Sequence, residues 1–250
     1  VVPVKDSKSV YLYKHPEKGF KIKKLVRVDF ILPIVHGTNC EDGTLQGYLE
    51  MLGIPYAGCD VLSSALGMDK VSMKEVFKSN GIPVVEYCSF YSYDWDVRRD
   101  DIISQIEEGL GYPCVVKPAN LGSSIGITKA KNKDELIDAI DLAESFALKI
   151  LVEKAVVGLR EINCSVLGDA EEALASACEE PMSHDEILTY SEKYLSESNS
   201  KGGKNSNSSG SKGGMASATR KLPAELSKEK EQEIKDYAVK SFQSLGCCGV

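Results

Sequence analysis

The chain has 250 residues, 42% of them hydrophobic, enough to bury a core in one or two domains. A formal net charge of −7 leaves no electrostatic footprint for nucleic acid, so no DNA or RNA partner is expected, and an anionic ligand would have to be met by individually placed lysines. No apolar run approaches the ~18 residues of a membrane span. Residues 1–10, which carry Lys5, Asp6 and Lys8, lack the apolar core of a signal peptide. The eight cysteines are scattered without a C-x-x-C pair, which points to reduced thiols in a cytoplasmic protein rather than to a zinc or disulfide framework.

Strands and helices alternate along the chain. Residues 28–35 (VDFILPIV) form a continuous apolar run suited to a strand buried on both faces of a parallel sheet. Residues 43–52 have helical spacing, with Leu45, Leu49 and Leu52 on one face, and 54–57 read as a short strand. Residues 68–80 predict a helix that stops at Gly81-Ile82-Pro83. Residues 84–91 are strand-like, and 100–110 predict a helix with Ile103, Ile106 and Leu110 inward. A strand over 113–119 runs into a Gly- and Ser-rich turn. The helix predicted over 132–146 opens on the capping pair Asn132 and Glu135 and buries Leu136, Ile140 and Ala143. Strands at 149–153 and 161–167 follow, then a late helix over 227–245 with Ile234, Ala238, Phe242 and Leu245 on one side. Fifteen of the nineteen residues from 196 to 214 are Ser, Gly or Asn, so that stretch predicts a flexible loop, either a linker or a mobile lid. The pattern is α/β throughout. The chain opens without an initiator methionine and closes on a β-prone residue just after a helix, so both ends read as cut.

Three segments carry candidate chemistry. In residues 117–126 (KPANLGSSIG) a strand delivers Lys117 into a turn whose glycines let backbone amides approach an anion and whose Ser123 and Ser124 add hydroxyls. It is no Walker A loop, and a plain turn would have the same composition. In residues 36–47 (HGTNCEDGTLQG) His36, Glu41 and Asp42 cluster beyond a strand end, where α/β proteins place ligands, although acids there also cap a helix. Glu153 and Lys154, then Glu161, flank a Gly158 turn and read by themselves as hairpin surface charge.

Taken in order, residues 36–47, 53–58 (GIPYAG), 68–70 (MDK), 117–126, 190–194 (YSEKY) and 222–225 (LPAE) resemble the D-alanine–D-alanine ligases of the ATP-grasp superfamily. The resemblance covers almost the whole chain outside the Ser/Gly/Asn insertion. It implies an ATP-grasp fold with an N-terminal α/β (pre-ATP-grasp) lobe, incomplete at both termini. Residues 1–67 would be the remnant of the N-terminal substrate-binding lobe, 68–152 the central lobe and 153–250 the C-terminal lobe, with 190–222 as its lid. It implies ATP as co-substrate, with Lys70 and Lys117 on the phosphates, Glu153, Lys154 and Val156 around adenine and Glu161 on the ribose. Ser123 and Ser124 would lie in the phosphate loop, Ser123 also orienting substrate with its lid partner Tyr194. Lys193 would precede Tyr194 on the lid, and His36 would stand near the first D-alanine. The reaction would join two D-alanines through an acyl phosphate, for peptidoglycan synthesis, in a cytoplasmic homodimer.

Cys40 stands where the family usually has glycine. The Mg²⁺ ligands of the family fall beyond Val250, so no metal ligand is assigned within these residues. The 250-residue chain alone is therefore expected to release little or no phosphate with ATP and D-alanine. Three alternatives stay open: D-serine as second substrate, another ATP-grasp carboxylate–amine ligase, and a non-catalytic nucleotide binder.

Overall fold

The computed structural model describes residues 2–6, 9–14, 23–182 and 220–249. It begins with an antiparallel meander that the sequence reading did not anticipate: β1 (Val2–Asp6), β2 (Ser9–Lys14) and β3 (Lys23–Val28), in that order across the sheet. The alternation of Val10 and Leu12 with tyrosines was its signal. Val10 is buried with Leu49 and Ile54, and Val28, Ile31, Leu45, Leu52 and Tyr56 pack around them. Leu45, Leu49 and Leu52 lie on α1 (Thr44–Leu52), as their spacing predicts.

The expected buried strand over 28–35 does not form. After β3 the chain runs on with a single parallel bridge from Ile31 to Tyr56, closed by the Ile31 N–H to the Pro55 carbonyl at 2.9 Å and the Ala57 N–H to the Ile31 carbonyl at 3.0 Å. The strand expected at 54–57 is reduced to this same bridge. Phe30, Leu32 and Ile34 are 57%, 64% and 77% exposed. A parallel strand is buried by neighbours on both edges and helices on both faces. The apolar run supplies none of these layers itself, and among the described residues only one edge is paired.

Two short helices follow. α2 (Val61–Met68) was not anticipated. It is capped by Asp60, whose carboxylate takes the Ser63 N–H at 2.8 Å and the Ser63 hydroxyl at 2.7 Å. α3 (Lys70–Ser79) starts two residues later than expected, because Asp69 intervenes in an extended conformation and caps it.

The centre of the molecule is an antiparallel sheet of β4 (Tyr87–Tyr91), β7 (Lys149–Lys154), β5 (Cys114–Pro118) and β6 (Thr128–Ala130), in that spatial order. Its register pairs Val116 with Val152 and Val152 with Cys88, so one face is wholly apolar. α4 (Ser92–Gly109) and α5 (Lys133–Glu144) cover that face. Trp95, Ile103, Ile106, Leu136, Ile140 and Ala143 are buried there against Val116, Ile150 and Val152. α4 starts eight residues before its expected beginning and is bent at Arg98, whose φ of −134° is not helical. The expected helix is its second half, where apolar spacing is clear. α5 carries the cap read from sequence: the Asn132 side chain accepts the Glu135 N–H at 3.0 Å and donates to the Glu135 carboxylate at 2.8 Å.

The last part holds two small two-stranded sheets and a helix. β8 (Val166–Gly168) pairs with β9 (Ala173–Ala175), and β10 (Glu180–Pro181) with β11 (Arg220–Lys221). The strand expected over 161–167 is therefore mostly irregular before β8, held by an Asn163–Glu179 bridge and by hydrogen bonds between Ser165 and Ser176. α6 (Lys228–Ser244) is capped by Ser227 and packs on β8 and β9 with Ile234, Ala238, Phe242 and Leu245 partly buried. All eight cysteines are free thiols. A hydrogen bond from Cys247 pulls the Cys59 thiol down to about 6.

Candidate functional site

The central sheet has a second face. On it the register sets Glu153 opposite Val115 and Tyr87, with Lys117 one row further along β5. Period-two alternation therefore puts the Lys117 and Glu153 side chains on the side away from α4 and α5. α3 lies over this side. Its first residue is tied down by the Lys70 N–H, which donates to the Ala119 carbonyl at 2.9 Å. Asp69 locks the corner: one carboxylate oxygen takes the Val71 and Ser72 N–H groups at 3.1 and 2.9 Å, the other the Lys149 ammonium at 2.8 Å. Lys70 and Lys74, four residues apart, then share one face of the helix.

The result is a cluster of cations around one carboxylate. Lys117 ion-pairs with Oε2 of Glu153, and Lys74 with Oε1 at 2.7 Å. The Lys70 ammonium sits over the start of the Gly/Ser turn, donating to the carbonyls of Leu121, Ala119 (3.4 Å) and Pro118 (3.5 Å). Burial would raise the Glu153 pKa, but the charge and hydrogen bonds of Lys117 and Lys74 outweigh it and hold the carboxyl below its usual range. For Lys70 burial dominates and Lys117 adds repulsion, so its pKa falls to about 8 despite the pull of Glu153 and Asp69. Three lysines against one glutamate leave a positive excess, open to an anion.

The turn beside them is unusual in its backbone. Ser123 and Ser124 both adopt left-handed φ, 55° and 59°. Strained residues of this kind gather at ligand sites. Gly126 also has φ 70°, and a Cβ there would lie 2.8 Å from Pro118 Cγ and 2.9 Å from Phe146 Cδ2. The half-exposed Phe146 ring can give way, but Pro118 is fully buried in β5 and cannot. Gly126→Ala is therefore expected to lower stability by about 1–3 kcal/mol, read as a shift in the urea midpoint. Gly122→Ala, with nothing within 4 Å of the added carbon, is the control. Equal midpoints for the two variants would show that the turn yields.

The other sequence-predicted residues fall differently. Lys154 extends β7, but its side chain is exposed and pairs with Glu86 at 3.0 Å, while its N–H donates to the Glu86 carbonyl. Val156 and Glu161 are exposed on the chain leaving β7. His36 is exposed and pairs within its own loop, 3.7 Å from Glu41. That loop is a compact turn: Asp42 accepts the N–H groups of Asn39 and Thr44 at 2.7 and 3.0 Å, and Gln46 donates to the Cys40 carbonyl at 3.1 Å. The structure thus gathers Lys70, Lys117 and Glu153 and leaves His36 outside that cluster. Lys193 and Tyr194 lie outside the described residues. Lys74 was missed, although its place four residues after Lys70 was the available signal. Among the described residues no three His, Cys, Asp or Glu side chains converge as a metal site.

Residues 5–59 match the family profile described as D-ala D-ala ligase N-terminus, and 76–250 the one described as D-ala D-ala ligase C-terminus. A D-alanine–D-alanine ligase of Natranaerobius thermophilus is 41% identical over 228 residues, 91% of this chain and 57% of the relative. The Acetivibrio thermocellus ligase of the same name is 38% identical over 94% of this chain and 57% of its own length. Among solved structures, the VanG D-Ala:D-Ser ligase from Enterococcus faecalis superposes with a TM-score of 0.73 at 32% identity, covering 97% of this chain and 65% of that one. The chain spans about 57% of the length of these curated relatives.

Proposed function

Because the chain belongs to the D-alanine–D-alanine ligase family, with its α/β ATP-grasp fold, we propose that it works in the ATP-dependent joining of two D-alanines for peptidoglycan synthesis. The observation that carries this reading is the convergence of Lys70, Lys117 and Glu153 on one sheet face, beside the strained Ser123–Ser124 turn. On this reading the carboxylate of one D-alanine attacks the γ-phosphate of ATP, giving an acyl phosphate and ADP. The amine of the second attacks that carbonyl, and phosphate leaves. Such transfer needs charge neutralisation and positioning more than covalent help from the protein.

Lys70 and Lys117 supply the cations, and the amides and hydroxyls of Ser123 and Ser124 line the phosphates. Glu153 accepts the adenine amino group, main-chain groups of Lys154 and the side chain of Val156 border the ring, and Glu161 takes the ribose. Lys193 and Tyr194 belong to the lid that keeps water from the acyl phosphate, and His36 stands by the first D-alanine. Mg²⁺ would supply further neutralisation between the phosphates. No carboxylate set among the described residues fits it, so no step is assigned to it.

On this reading the nucleotide lies between residues 68–152 and 153–250, and family membership alone motivates the proposal of a cytoplasmic homodimer. No helix among the described residues is long and apolar enough to cross a membrane. D-alanine is taken as the second substrate because the curated relatives at 38–41% identity are D-alanine–D-alanine ligases, and D-serine is the alternative that the likeness to the D-Ala:D-Ser ligase raises. The test is phosphate release and dipeptide formation by the complete gene product with ATP, Mg²⁺ and D-alanine, with D-serine in parallel. Release that is independent of any D-amino acid would overturn the reading.

A further inference from the structure

Lys74 and Glu153 are the buried ionic residues of the described structure, 7% and 6% exposed, and each is the other's partner. Removing two charges from water costs more than their attraction reliably returns, so a buried pair is weak support for a merely stabilising role. The surroundings of Lys74 hold it in place: the ammonium lies 5.3 Å from the centre of the Tyr87 ring on one side and 2.7 Å from Oε1 on the other. Lys117 is different. It reaches the same carboxylate from a quarter-exposed position on the edge of the cluster, through Oε2.

That division matters if a nucleotide enters as proposed above, on which the following rests. The Lys117 ammonium has three N–H donors to divide, so a phosphate that draws it weakens its hold on Glu153. When it turns to the phosphate, Glu153 loses one of two countercharges. A buried carboxylate left alone would take up a proton, and a protonated carboxyl is an uncharged, weaker acceptor for a purine amine and puts a donor beside it. Lys74 prevents this. It keeps Glu153 ionised and fixed by Oε1, while Oε2 becomes a free acceptor. We propose that Lys74 is the positioning residue for 6-aminopurine selection, holding the Glu153 carboxylate in place while Lys117 exchanges it for a phosphate.

The experiment is calorimetric titration of the full-length protein with ATP and with purine riboside triphosphate, which lacks the 6-amino group. Wild type, Lys74→Met, Lys74→Arg and Glu153→Gln are compared, each checked for its thermal unfolding. Wild type is expected to favour ATP by about tenfold or more, the worth of a hydrogen bond to a charged acceptor. Lys74→Met is expected to lose that preference by weakening ATP alone, leaving purine riboside triphosphate within about twofold, and Lys74→Arg to keep it. Equal weakening of both nucleotides, or no change in either, would overturn the proposal, because a structural role does not distinguish the two ligands. If wild type and Glu153→Gln bind both nucleotides alike, the Glu153 assignment itself falls, and the role of Lys74 with it.

Discussion

Replacing Glu153 with alanine is expected to destabilise the protein by about 3–5 kcal/mol, the usual penalty for stranding a buried charge. Two lysines depend on this carboxylate, but they do not lose equally. Lys117 can swing towards solvent, whereas the Lys74 side chain is 9% exposed and packed beneath α3. The penalty therefore belongs chiefly to Lys74. The double variant Lys74→Met, Glu153→Ala is expected to recover part of it, since Lys74→Met removes the charge that Glu153→Ala strands while the space left by the glutamate remains. Urea unfolding of the wild type, two single variants and the double variant measures this. A loss below about 1 kcal/mol for Glu153→Ala, the range of an exposed pair, would mean that Lys74 reaches water and that the pair is not buried in solution.

Nucleotide affinity is expected to fall as pH rises through about 8 and to fall less in Lys70→Arg. Lys70 has its pKa lowered to about 8, first by burial and then by the charge of Lys117. Below that pH it is protonated and can meet a phosphate. Above it the free protein holds a neutral amine, so binding must also take up a proton, and affinity drops by up to about tenfold per pH unit until the pKa of the bound form is reached. Phosphate's own second ionisation, near pH ~6, is complete before this window opens. Stability runs the other way over the same window. The unfolded chain holds its Lys70 proton up to the ordinary value of 10.5, so between about 8 and that value the unfolded state binds more protons, and folding gains as pH rises. Below about pH 8 the burden of the buried charge is present in full. Titrations between pH 6.5 and 9.5 separate the two effects. An affinity that is flat over that range in wild type would show that Lys70 does not meet the ligand.

Much of the site was legible because local chemistry specified it. Lys117 followed by a Gly- and Ser-rich turn needs only a strand end and glycine's freedom, and β5 and the turn at Gly126 supply both. Asn132 and Glu135 announce the start of α5 because a cap is satisfied within four residues of chain. Glu153 was less legible. Alone it reads as surface charge on a hairpin, and only the pairing of β7 between β4 and β5 brings it beside Lys117. Lys74 was not legible as a site residue, since its meaning comes from a carboxylate seventy-nine positions away in the chain. The apolar run over 28–35 misled because hydrophobicity states a demand for burial and says nothing of which layers will meet it.

The sequence by itself determined the α/β alternation, the helix starts at Asn132 and Ser227, the strand carrying Lys117, and the family through its ordered short motifs. These depend on period, capping and turn geometry, which act over a few residues. Tertiary structure decided the antiparallel order β4-β7-β5-β6, the sharing of one carboxylate by two lysines, the depressed pKa of Lys70 and the separation of His36 from that cluster. Charge, burial and proximity are properties of residues brought together from distant parts of the chain, and only the packed sheet and the helix lying over it bring them together.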